Sequence, residues 1–129
     1  MIVVDTSSLV AIVLGEADAE GHLAAMTGVA VAASAVSIVE AGIVVEARQG
    51  PDAARDLELL VEGAIDEILA VDATHARVAH DAWRRFGKGR HPAGLNVGDC
   101  FSYAAAVVRD APLLFKGDDF AQTDLRRVR

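Results

Sequence analysis

Met1-Ile2-Val3-Val4-Asp5-Thr6-Ser7-Ser8 decides how the rest of the chain is read. Ile2, Val3 and Val4 are β-branched and do not alternate with polar residues. Such a run fits a strand buried on both faces, the kind found in parallel sheets covered by helices. It stops at an acid. Thr6, Ser7 and Ser8 can cap a following helix, and Leu9 to Leu14 gives that helix an apolar body. The unit is therefore strand, acid, helix start.

The same unit recurs along the chain. Ala17 to Met26 reads as a helix and Val29 to Ala33 as a second apolar strand. Ser37-Ile38-Val39-Glu40 matches a capping box, with Ser37 as N-cap and Glu40 at the third helical position. That helix runs to Arg48 and is ended by Gln49-Gly50-Pro51. Asp52 to Glu62 is amphipathic, with Leu57, Leu60 and Val61 on one side. Ile65 to Val71 reads as a third strand, and Ala73 to Phe86 as a helix with an apolar stripe of Ala79, Ala82, Trp83 and Phe86. Gly87 to Gly94 is a loop. Asn96 caps a helix that places Asp99 in its first turn. Pro112 to Phe115 is a fourth strand, and Leu125 to Val128 a short last one. Strands alternating with helices predict an α/β domain with a mostly parallel sheet of four to five strands.

Composition narrows the function. The 129 residues fit one domain, 1–129, and 53% apolar content fits a globular one. Twelve basic against nineteen acidic residues give a net charge of −7. A general, charge-driven nucleic-acid binder leans the other way, so contact with nucleic acid has to be local or mediated by a metal. The single cysteine, Cys100, excludes a disulfide framework and reads as a packed thiol. His22, His75, His80 and His91 show no zinc-type spacing. The first residues do not resemble a signal peptide, and the longest uncharged run, Leu23 to Val39, is too polar for a membrane span. The expectation is a cytoplasmic protein.

In parallel sheets, ligands bind outside the carboxyl ends of the strands. Asp5 follows the first strand directly. Glu40 and Asp99 lie at helix starts, and Asp118 and Asp119 follow the fourth strand. Such acids raise one another's pKa unless something positive offsets them. Helix N-termini do so weakly; a divalent cation does so strongly. Oxygen ligands without His or Cys suit Mg²⁺ or Mn²⁺, which can activate a water for attack on a phosphodiester. Each acid also has a plainer reading: Asp5 as a helix cap, Glu40 as half of a capping box, Asp99 as a helix-dipole partner, Asp118 or Asp119 as a turn residue.

Four segments carry a resemblance that spans essentially the whole chain. They are Val3-Val4-Asp5-Thr6-Ser7, Ser34 to Glu40, Leu95 to Ala104, and Leu113 to Phe120 with Thr123-Asp124. The chain resembles PIN-domain ribonucleases of the VapC toxin type, the toxin half of bacterial VapBC pairs. The resemblance implies a three-layer α/β/α PIN-like fold and a Mg²⁺- or Mn²⁺-dependent endoribonuclease. Asp5 and Asp99 are implied as metal ligands, and Glu40 as acting directly or through a bound water. Asp118 is taken as the fourth acid with Asp119 as its competitor, and Asp124 is a more distant candidate. Thr6, Ser7 and Asn96 are implied as groups that hydrogen-bond the carboxylates or the substrate. A VapB-type antitoxin, an RNA substrate and a homodimer follow as expected partners.

Two other classes fit part of the pattern. Aspartyl-phosphate phosphohydrolases and receiver-like domains also use acids at strand ends with Mg²⁺. The paired acid they carry after the first strand is missing here, though Asp72 and Lys116 could imitate a receiver's phosphoacceptor and lysine. A binding module that kept the fold but no catalysis is the third possibility. Two basic groups offer an RNA path: Arg84, Arg85, Lys88, Arg90 and His91, and Arg126, Arg127 and Arg129. Such groups can contact phosphates, but a solvated helix face is the simpler explanation of them.

Overall fold

The computed structural model describes residues 1–128. Its elements run β1 (Ile2–Val4), α1 (Thr6–Val13), α2 (Ala19–Ala25), β2 (Val31–Ser34), α3 (Ala35–Gln49), α4 (Pro51–Ala64), β3 (Glu67–Leu69), α5 (Ala73–Phe86), α6 (Val97–Arg109) and β4 (Leu113–Leu114), followed by a 3-10 turn over Phe120–Gln122. The four strands form one sheet in the order β3-β2-β1-β4. Every neighbouring pair is parallel, with Ile2 opposite Val31, Val3 opposite Leu113 and Ala33 opposite Ile68.

Side chains alternate across a strand, so each strand feeds two cores. Val3, Ala32 and Leu113 face α5 and α6, where they meet Ala79, Ala82, Leu95, Cys100 and Ala104. Ile2, Val4, Val31, Ala33 and Leu114 face the opposite way, toward Leu9, Ala41, Val45 and Leu57 of α1, α3 and α4. The result is helix layer, sheet, helix layer. Among the described residues no helix is long and apolar enough to cross a membrane.

The strand order sets the place of any site. The chain leaves β1 toward β2 on one side, and β4 returns on the other side of β1. The crevice at the carboxyl end of β1 is thus the switch point at which α/β sheets bind ligands.

Several local expectations need correction. The cap of α1 is Asp5, whose side chain accepts from the Ser7 N–H; Thr6, Ser7 and Ser8 are already helical. The cap of α3 is Ser34, accepting from the Val36 N–H, rather than Ser37. Strand β2 passes into α3 with no intervening loop, so the helix starts three residues earlier than the Ser37-x-x-Glu40 pattern suggests. Ser37 is then an interior helical residue and Glu40 does not complete a capping box. The last strand reduces to one bridge between Leu113 and Arg127. By contrast Asn96 and Asp99 form a true capping box at the start of α6. Gly50, with φ of 83°, makes the turn from α3 into Pro51 and α4, a backbone angle that a side chain disfavours.

Leu113 is fully buried and pairs with both β1 and the C-terminal bridge. Leu113→Ala is expected to lower the unfolding free energy by about 2–5 kcal/mol, seen as a lower urea midpoint at unchanged m-value.

Candidate active site

Asp5 is 3% exposed, a depth at which an ionised carboxylate needs donors. It has them. Oδ2 accepts from the Ser7 backbone N–H at 3.0 Å and from the Ser7 hydroxyl at 2.6 Å. Oδ1 accepts from the hydroxyl of Ser102 on α6. Ser7 Oγ in turn accepts the Lys116 backbone N–H at 2.9 Å, which ties the end of β1 to the turn after β4.

Asp99 stands in the first turn of α6. Its Oδ2 accepts from the Asn96 N–H at 3.0 Å, and Asn96 Oδ1 accepts from the Asp99 N–H at 2.9 Å. Burial pushes its carboxyl up, the Asn96 hydrogen bond opposes this, and the charges of Asp5, Asp119 and Glu40 add to the rise; the outcome is a pKa of about 7. Glu40 reaches across from α3 to the same helix start. A Cβ built on Gly98 would fall 2.7 Å from Glu40 Cδ, so the carboxylate rests against bare backbone there. At that spot it meets the positive end of the α6 dipole.

These groups line one cleft of about 380 Å³: Asp5, Glu40 and Asp99 with Thr6, Ser7 and Asn96. Side chains remote in sequence are thus brought together at the carboxyl edge of β1. Asp119 acts on Asp99 through its charge. That coupling favours Asp119 over Asp118 as the fourth acid; both are exposed. Asp124 is engaged elsewhere. Burial works against its ionisation, but hydrogen bonds from Tyr103 and Arg85 hold it below the usual carboxylate range.

The donor set suits a hard cation. Its carboxyl and hydroxyl side chains offer oxygen, and the buried Thr6 Oγ1, next in sequence to Asp5, has no hydrogen-bond partner. Among the described residues no group of three or more His, Cys, Asp or Glu is placed to hold a metal ion. Mg²⁺ does not need one, since it takes one or two protein carboxylates and keeps several waters.

Two cations at the cleft were not anticipated. Arg48 lines it from the last turn of α3, and Lys116 from beyond β4. Arg48 lies eight residues after Glu40, which returns to the same helix face, so periodicity could have found it. The Lys116 ammonium pairs with Glu16 at 3.1 Å and Asp18 at 3.2 Å. The basic groups expected as an RNA path are partly tied down. Arg85 pairs with Asp124 and Asp81, Arg90 stacks on Trp83, Arg126 pairs with Asp110, and Arg127 lies over Phe115. Arg129 lies outside the described residues. Cys100 is buried as expected, and burial, with the Asp99 charge, pushes its thiol up to about 11.

The receiver-like arrangement is not formed. Asp72 follows β3 and caps α5 through the His75 N–H, while Lys116 follows β4. Those strands are the two opposite edges of the sheet.

The PIN-domain profile matches residues 2–125. The chain belongs to the PIN-domain family, in its VapC branch. It is 50% identical over 127 residues to Ribonuclease VapC of Mycolicibacterium smegmatis, covering 98% of each chain. It is 46% identical to Ribonuclease VapC30 of Mycobacterium tuberculosis, over 98% of this chain and 97% of the relative. The fold is shared with the crystal structure of M. tuberculosis VapC20, a toxin that cleaves the sarcin-ricin loop, at a TM-score of 0.80 and 21% identity, covering 100% of this chain and 99% of that one. A toxin–antitoxin complex from Klebsiella pneumoniae superposes at a TM-score of 0.72 and 17% identity, over 96% and 93% of the two chains.

Two outcomes follow for this VapC-branch chain. Asp99 has a folded pKa above its ordinary 3.8. The folded state therefore holds more protons than the unfolded state between pH 3.8 and about 7, and stability falls as pH rises through that window. Without divalent cations, Asp99→Asn is expected to flatten this decline in a series of thermal melts across the window. Gly98→Ala is expected to unfold near the wild-type temperature, because the flexible Glu40 side chain can move aside. It is also expected to cost activity, because that move takes the carboxylate out of the cleft.

Proposed function

We propose that the chain is a metal-dependent endoribonuclease, the toxin of a type II toxin–antitoxin pair acting in the cytoplasm. One observation carries the reading: Asp5, Glu40 and Asp99, from three separate parts of the sequence, line a single cleft at the sheet's switch point. Membership of the VapC branch supports it, since the relatives named above are ribonucleases.

Asp5 and Asp99 would hold a Mg²⁺ or Mn²⁺ ion, with Glu40 and Asp119 completing the negative rim. When bound, the ion supplies an acidified water and charge neutralisation at a phosphodiester. The chain's own residues do the rest. Ser7 and Asn96 fix the orientation of the two carboxylates. Glu40 of α3, resting against the α6 N-terminus, is placed to accept a proton from an attacking water. Arg48 is placed to meet a backbone phosphate at the mouth of the cleft, giving an acidic protein a local cationic contact with RNA.

A VapB-type antitoxin is the proposed partner. Its support is the shared fold with the K. pneumoniae toxin–antitoxin complex and with VapBC2 from Rickettsia felis, at TM-scores of 0.72 and 0.75. An arginine from such a partner would neutralise the same carboxylates.

The test is cleavage of total RNA with Mg²⁺ and with chelator. Asp5→Ala and Asp99→Asn are each expected to lower cleavage by at least about a hundredfold, the scale on which a preorganised charged group acts, and chelator to abolish it. Undiminished cleavage by folded Asp99→Asn would end the proposal. Arg48→Ala is expected to weaken RNA binding across sequences and to reduce the salt slope by about 1, measured by a binding titration in chelator at several salt concentrations.

A further inference from the structure

We infer that a buried hydroxyl pair, Ser37 and Ser102, positions the Asp5 carboxylate and so sets the spacing of the site; this rests on the reading of Asp5 as a metal-holding acid. Ser37 is 1% exposed, Ser102 0% and Asp5 3%. Ser102 Oγ donates to Asp5 Oδ1, and Ser37 Oγ lies 3.1 Å from Ser102 Oγ. The chemistry gives this chain a direction. An ionised carboxylate only accepts, and a hydroxyl has one proton. Ser102 uses its proton on Asp5, so it must accept from Ser37. The order is Ser37 to Ser102 to Asp5, each bond polarising the next.

The spacing of the acids relates the pair to the cleft. Ser37 precedes Glu40 by three residues on α3, and Asp99 precedes Ser102 by three residues on α6. Residues three apart share a helix face. Each acid therefore stands one turn from a hydroxyl on its own helix, and the two hydroxyls meet beside the third acid. Contact between the hydroxyls fixes α3 against α6, and the bond to Oδ1 fixes both against β1. Ser37 and Ser102 are positioning residues, not catalytic ones.

The experiment is calorimetric titration of the full-length protein with Mn²⁺ alone, well below the melting temperature, with thermal midpoints measured in parallel. The variants are S102A, S37A, the double variant and Asp5→Asn. S102A is expected to weaken Mn²⁺ binding at least about tenfold, the usual scale for a group that orients a metal ligand. S37A is expected to weaken it by about threefold, since it acts through one more bond. The double variant should bind no more weakly than S102A alone, because Ser37 acts only through Ser102. A purely structural serine would lower the melting temperature and leave the Mn²⁺ dissociation constant unchanged. That result in S102A, with Asp5→Asn failing to bind, overturns the inference and leaves the metal reading intact. Wild-type binding by Asp5→Asn overturns the metal reading itself. If S102A does not fold, S37A keeps the Asp5 bond, and an unchanged constant in S37A overturns the relay.

Discussion

Everything at the carboxyl edge of the sheet turns on burying one negative charge. Removing a carboxylate from water costs several kcal/mol unless donors replace the lost hydration. Among the described residues Asp5 has no ion-pair partner, so polar donors carry the whole compensation. Ser7 supplies two and Ser102 a third. Ser7 is available because Asp5 caps α1, and Ser102 because α6 packs against β1 through small residues such as Ala104 and Ala105. The cap, the strand end and the helix packing are thus one arrangement seen from three sides.

The remaining carboxylates are placed by helix starts. Asp99 is fixed by its reciprocal bonds with Asn96, and Glu40 leans on the same first turn where Gly98 leaves room. The α6 dipole and the bare backbone at Gly98 accommodate Glu40 and Asp99 near Asp5. Burial first, and then the charges of Asp5, Asp119 and Glu40, raise the pKa of Asp99. A site with unmet negative charge and oxygen-only donors is suited to a small divalent ion.

Much of this was legible in the sequence because it is local. A β-branched run ending on Asp5 announces a strand end, and Asn96 with Asp99 three residues on is a box that closes on itself. The readings that failed concern choices that locality does not decide. Ser37-x-x-Glu40 satisfies the capping-box template and Ser34, with Ser37 three residues on, does not; only the direct passage from β2 into α3 selects Ser34. Ser102 gave no signal, because its partner lies 97 residues away. Asp118 and Asp119 are adjacent and chemically identical, so only their surroundings distinguish them. Lys116 was visible as part of a receiver-like pair, but the order of the strands separates it from Asp72.

The pairing of β1 with β4 has a consequence for synthesis. Val3 must meet Leu113, and Ser7 must meet Lys116, across more than a hundred residues. Parallel pairings of such separation form late, after the intervening chain exists. A ribosome-bound fragment ending before α6 has neither Asp99 nor Ser102, and its first strand lacks one neighbour. The cleft thus comes into being only once α6 and β4 have been made.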